Sequence, residues 1–192
     1  MFDRARRAGE ESVGLVAGRL GNPDARKLDP AAAAKLFRGD GDAAPALFWT
    51  AVAWGQWSLA SGKMKAARKR AARRIRDDCL TLIALDPAFE EGGGYRILGR
   101  VHDQAPKVPL LTGWVSRAEA LRLLRRAIAA APRNFVNRHF LAEALARSGA
   151  RNEAVAIEEG IVADAPGPSH LVEEFAIQEA ARKNLAAWRK EN

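Results

Sequence analysis

Between Lys63 and Arg76 the chain carries Lys63, Lys65, Arg68, Lys69, Arg70, Arg73, Arg74 and Arg76, with no acidic residue among them. A run of that sign can neutralise phosphates, on a nucleic acid or an anionic membrane, and would then show steep salt dependence. It can also keep the outer face of a helix in water. At about 100° per residue, Met64, Ala67, Ala71, Ile75, Cys79 and Leu82 fall on one stripe, and most of the cations fan across the opposite side. The spacing therefore predicts one long basic helix with a solvated face, on which Arg68, Lys69, Arg73 and Arg74 would meet a phosphate-bearing partner. No aromatic platform or base-reading motif accompanies the charge, so nucleic acid is the less favoured partner.

Other chemistry-bearing residues are sparser. Arg96 and Arg100 stand four apart, so both guanidinium groups can share one helix face and grip a carboxylate. The alternative is that they pair with Asp103 or Glu143 and hold neighbouring helices together. His139 and Glu143 share the same spacing, and His170 lies on the next helix pair, which sketches a metal-ligand set. Such pairs arise often on polar helix faces, and no metal site is assigned. The cluster Gly92-Gly93-Gly94 lacks the Gly-Lys-Ser or Gly-Lys-Thr ending of a phosphate loop and follows no strand, so it reads as a turn. Cys79 sits in an apolar seam with no base beside it in sequence, which argues against a nucleophile. No cofactor motif and no catalytic constellation emerges, and the expectation is a non-enzymatic protein.

These residues need a scaffold, and the scaffold is helical. The 192 residues are 48% hydrophobic and 28% charged, with a formal net charge of +8 and a single cysteine, so no internal disulfide framework exists. Ala, Leu and Arg dominate, and these lose little side-chain freedom in a helix. Ala120, Leu124, Ala127 and Pro132 recur 34 residues later as Ala154, Glu158, Ile161 and Pro166. That period belongs to the second helix of a tetratricopeptide repeat, a two-helix unit that buries its apolar face by stacking on its neighbours. The expected fold is all-α: a right-handed stack of tetratricopeptide-like helix pairs, with an N-terminal helical arm over residues 1–44 and a repeat domain with a capping helix over 45–192.

Within it, helices are expected from Phe2 to Leu20, Pro30 to Arg38, Pro45 to Ser61, Lys63 to Leu85, Tyr95 to Gln104, Arg117 to Ala131, Phe135 to Arg147, Asn152 to Ala163 and Ser169 to Lys190. Trp54-Gly55, Leu98-Gly99 and Leu141-Ala142 occupy the large-small positions that let paired helices approach. Ser116 and Glu119 form a capping box. The last helix is expected to turn Leu171, Val172, Phe175, Ala176, Leu185 and Trp188 onto the stack. The uncharged stretch from Ala43 to Gly62 has the length of a membrane span, but Pro45, Thr50, Gly55, Gln56 and Ser58 dilute it, and a doubly packed helix is expected instead. Residues 1–20 do not read as a signal peptide, because Glu10, Glu11 and Gly14 interrupt any apolar stretch. The expected compartment is the cytoplasm, or the periplasm where an export segment has been removed.

The string from Leu47 to Gly55, then Leu85-Asp86-Pro87-Ala88-Phe89 leading into Gly92-Gly93-Gly94-Tyr95, then Leu98-Gly99 and Ala105-Pro106, resembles the TRAP transporter T-component family over roughly residues 45–190. The resemblance implies an accessory protein of a tripartite solute transporter, pairing with an extracytoplasmic solute-binding protein, forming oligomers and holding an apolar ligand.

In tetratricopeptide stacks the second, fifth and ninth residues of each first helix face the groove. This places Trp49, Gln56, Arg96, Arg100, His139 and Glu143 on the expected binding surface, for a protein partner or a small acidic or apolar ligand. The basic residues 63–76 supply the alternative surface, for nucleic acid or an anionic membrane.

Overall fold

The computed structural model describes residues 1–168 and 170–190. All regular structure among them is helical: α1 (Phe2–Arg19), a 3-10 turn (Ala25–Lys27), α2 (Pro30–Phe37), α3 (Ala43–Ser61), α4 (Lys63–Arg68), α5 (Ala71–Leu85), α6 (Phe89–Gln104), α7 (Arg117–Ala130), α8 (Phe135–Arg147), α9 (Arg151–Ala163) and α10 (Leu171–Trp188). From α3 onward the larger contacts run between sequence neighbours, as α5 lies on α3 and α6, α6 on α7, α7 on α8, α8 on α9, and α9 on α10. This is an all-α, repeat-like stack. The first helices fold back on it, α1 against α3 and α2 against α5, and Val13, Val16 and Phe37 share one core cluster with Leu47, Phe48 and Leu82.

Local chemistry sets the helix ends. Asp29 accepts from the Ala31 and Ala32 amides at 3.0 Å each, and Pro30 opens α2. Asn134 caps α8 by accepting from Asn137 N at 2.9 Å. Half of the expected capping box at α7 forms: Ser116 Oγ accepts from Glu119 N at a long 3.5 Å. The reciprocal bond is replaced, since Ser116 N donates to His102 Nδ1 at 3.1 Å and Glu119 pairs with Arg122.

The 34-residue period is the core of the stack. Ala120, Leu124 and Ala127 on α7 and Ala154, Glu158 and Ile161 on α9 are all buried. At Gly99 a Cβ would lie 2.8 Å from Leu124 Cγ, so glycine there is what lets α6 and α7 close. Gly55 does not play that part, for a Cβ there would meet open space.

Three expectations are corrected. The long basic helix is two helices, because Arg70 adopts φ +52° and breaks the chain between α4 and α5; a left-handed non-glycine residue costs about 1–2 kcal/mol. Met64 consequently leaves the apolar stripe and is 72% exposed, while Ala71, Ile75, Cys79 and Leu82 stay buried. Second, the turn expected at the glycines begins earlier, with Glu90, Glu91 and Gly92 all at positive φ. Gly93 then packs against Phe48, whose ring a Cβ would clash with at 2.5 Å.

The third correction concerns α10. Leu185 and Trp188 pack on the stack as expected, but Leu171, Val172, Phe175 and Ala176 face outward, and Glu174 and Gln178 face inward with Ala181. The reason is polar: helix α9 ends with unpaired carbonyls, and Gln178 Nε2 lies 3.0 Å from Ile161 O and 2.9 Å from Asp164 O. Glu174 accepts from Gly167 N in the preceding turn. Ser169, expected as the first residue of this helix, lies outside the described residues. Among the described residues no helix is long and apolar enough to cross a membrane.

Candidate functional site

Helices α3, α6 and α8 adjoin in order, and α10 follows beside α8. The expected groove residues lie on this row with very different surroundings. Trp49 is 58% exposed, its ring edge-on to Phe48 at 5.0 Å, and Gln56 is exposed. Phe48 in turn contacts Gly93, one helical turn before Arg96 on α6.

The two arginines do not grip one anion together. Arg100 bonds Glu143 on α8, lies 3.5 Å from Asp103 and stacks over Phe140 at 4.3 Å. Arg147 completes the cluster by bonding Asp103 and approaching Glu143 at 3.6 Å. Two cations and two carboxylates thus satisfy one another and pin α6 to α8. Arg96 is different. Its guanidinium donates to Asn137 Oδ1 at 2.9 Å and to Glu90 O at 3.2 Å, and both acceptors are neutral. Burial pulls its pKa down, while Glu173, Glu90 and Glu91 act on it through space. Among the described residues no carboxylate forms an ion pair with it. Asn137 is fully buried and donates onward to Glu91 O and Ala127 O, so the acceptor is locked.

His139 is not a groove residue. It is 5% exposed, and its Nδ1 lies 2.9 Å from Glu158 on α9, itself completely buried and accepting from Asn184 Nδ2 at 2.9 Å. Its partner is therefore Glu158 rather than Glu143, whose carboxylate turns to Arg100 and Arg147. His170 stands apart at the exposed start of α10.

The basic residues do more than face solvent. At the break between α4 and α5 they border a cavity of about 600 Å³. Arg26, Arg68, Lys69, Arg70, Arg73 and Arg74 surround it, Asp77 and Asp78 are its acids, and Val13, Phe37 and Leu47 form its inner wall. Arg74 is held by Glu10 at 2.8 Å and lies 5.1 Å from the Trp54 ring centroid; Arg73 pairs with Asp77 at 3.6 Å. Arg68 approaches the Met64 sulfur at 3.8 Å. Among the described residues, no carboxylate pairs with Arg68, Lys69 or Arg70.

Sequence reasoning missed Arg26 and Asp78. Arg26 Nη1 donates to Asp78 Oδ1 at 3.0 Å, and Asp78 is 4% exposed. A signal for it existed: Asp78 lies on the same helix stripe as Ile75, Cys79 and Leu82, where a carboxylate requires a buried partner. Burial lifts its pKa from the ordinary 3.8 to about 6, with Arg26 opposing the rise. The folded protein therefore keeps a proton that the unfolded chain loses between those values. The stability from this group is fully present below pH 3.8 and is lost as pH rises through 6. A shift of that size corresponds to ~3 kcal/mol. Denaturant unfolding at a series of pH values should show Asp78→Asn gaining on the parent by that order between pH 4 and 7. A parent-minus-variant difference that does not change with pH would refute the buried-acid account.

No protein-family model matches this chain, and no curated protein matches it.

Proposed function

We propose that the protein is a non-enzymatic binding protein on a tetratricopeptide-type scaffold, an adaptor that receives an acidic group of a partner protein or small ligand along the row α3, α6 and α8. The observation that carries this reading is Arg96: a locked, half-buried guanidinium whose acceptors among the described residues are neutral, near the Phe48–Gly93 contact that also seats the exposed Trp49. A cation whose direct acceptors are neutral can take an incoming carboxylate, which competes with the field of Glu173, Glu90 and Glu91, and an exposed aromatic on the neighbouring helix α3 supplies the apolar contact that binding hot spots use. The resemblance to the TRAP transporter T-components supports a narrower version, in which the partner is an extracytoplasmic solute-binding protein and the adaptor an accessory part of solute uptake. Arg100 and Glu143 then act as part of the brace between α6 and α8 rather than as contacts.

The test is affinity capture of partners with the full chain, followed by calorimetry on the purified pair. Arg96→Ala and Trp49→Ala should each weaken the complex at least tenfold with unchanged helix content, whereas Gln56→Ala should change it less than threefold. Unaltered affinity in both of the first two variants would refute the groove reading.

A further inference from the structure

We propose that the cavity at the α4–α5 break is a second, separate binding site, for a small amphiphile carrying a phosphate monoester on an apolar chain. Cations converge on one concavity from three parts of the chain: Arg26 from the 3-10 turn, Arg68 from the end of α4 with Lys69 and Arg70 in the break, and Arg73 and Arg74 from α5. Against these six stand Asp77 and Asp78 in the wall and Glu10 on Arg74, a formal excess of three positive charges, and all three acids are engaged, Asp78 with Arg26, Asp77 with Arg76 and Arg73, and Glu10 with Arg74 and Arg6. Like charges gathered this closely repel one another and focus potential into the cavity, so the complementary ligand is a multiply charged anion. A phosphate monoester carries about −1.5 to −2 at neutral pH and offers three acceptor oxygens, which suits Arg68, Lys69 and Arg70, none of them paired with a carboxylate among the described residues.

The apolar edge of the hollow bears on the rest of the molecule. Leu28 and Pro30 supply the reachable apolar surface, since Val13, Phe37 and Leu47 behind the charges are each no more than 2% exposed. An inorganic ion would leave that edge unused. The volume of about 600 Å³ lies within the usual range of about 300–1,000 Å³ for small-ligand sites. A nucleic acid strand fits less well, because it needs a basic track with exposed aromatic platforms. Here the cations close around a single hollow, and the only aromatic residue in its wall, Phe37, is 2% exposed. The conformation of the break agrees, since Arg70 is held at positive φ and stands at the cavity wall rather than continuing the outer face of one helix.

This site does not depend on the groove. The experiment is calorimetric titration of the full chain with octyl phosphate below its micellar concentration, inorganic phosphate, octyl trimethylammonium, a single-stranded oligonucleotide, and vesicles with and without phosphatidic acid. Octyl phosphate should bind one to one, at least tenfold tighter than inorganic phosphate, weaken with added salt, and lose at least tenfold in the double variant Arg68→Gln with Lys69→Gln. Both residues are exposed and have no carboxylate partner among the described residues, so this variant should keep the parent's circular dichroism and melting temperature. Phosphatidic acid vesicles that bind in addition, with the same loss in the double variant, would identify a lipid as one source of the headgroup. Three results would overturn the proposal: equal binding of the cationic amphiphile, undiminished octyl phosphate binding in the double variant, or binding confined to vesicles or to the oligonucleotide.

Discussion

Trp54→Ala should destabilise the protein by ~3–5 kcal/mol, the usual loss for a fully buried large aromatic, and lower its melting temperature by about 10 °C for a chain of this size. Trp54 is 1% exposed and meets Trp57 edge-on at 5.3 Å. It also lies between two cations from different helices, Arg6 of α1 at 4.7 Å and Arg74 of α5 at 5.1 Å from its ring centroid. The same indole thus fills the core of α3 and seats the arginine that borders the basic cavity. Its Nε1 is buried and has no hydrogen-bond partner among the described residues, so no donor pairing is lost with the ring. Trp54→Phe should therefore recover most of the stability. Denaturant unfolding followed by circular dichroism measures both; a loss below 1 kcal/mol for Trp54→Ala would show that the aromatic cluster is not what joins α1, α3 and α5.

The second large effect is expected at Glu158. Its carboxylate, with no exposure at all, serves His139 on α8 and Asn184 on α10. Glu158→Ala strands the buried His139 donor and the half-buried Asn184 amide and leaves a void, and each stranded donor costs about 1–3 kcal/mol when buried; ~3–5 kcal/mol in total is expected once the cavity is included. Glu158→Gln keeps an acceptor and should cost less than half as much. A double-mutant cycle with His139→Ala should give a coupling of at least ~1 kcal/mol. Additive losses would mean that α8, α9 and α10 are joined by packing alone.

The helical class and the positions of most helices were legible because period and punctuation agree. Ala120 to Pro132 repeats as Ala154 to Pro166, Pro30 and Asp29 start α2, and Gly62 and Gly149 stop α3 and α8 at positive φ. Glu158, at the position of Leu124 one repeat earlier, was visible as a charge in a core register. Its partners were not, because His139 and Asn184 belong to different helices and only the fold brings them together. The break at Arg70 left no mark: no glycine, proline or Asn stands there, and the local pattern favours a continuous helix. The first turns of α10 differ from expectation for a related reason. Leu185 and Trp188 turn inward, but at the start of the helix the carbonyls at the end of α9 take Gln178, and Leu171, Val172 and Phe175 are left outside. At the candidate site the spacing of Arg96 and Arg100 suggested a pair, but the pairing of Arg100 with Glu143 depends on how α6 and α8 align, which spacing within one helix does not encode.

Helix α4 buries none of its six residues and is bounded at both ends by left-handed backbone, at Gly62 and at Arg70. Opening it releases only the partly buried Ala66 from the edge of the Trp54 cluster, so its local unfolding free energy is only weakly tied to that of the whole stack. Arg73 and Arg74, by contrast, ride on α5 and are braced by Asp77 and Glu10. The basic cavity therefore has one stiff wall and one compliant wall. Its electrostatic potential is a property of an ensemble, in which Arg68 and Lys69 can change their distance to a bound anion while the rest of the fold stands still.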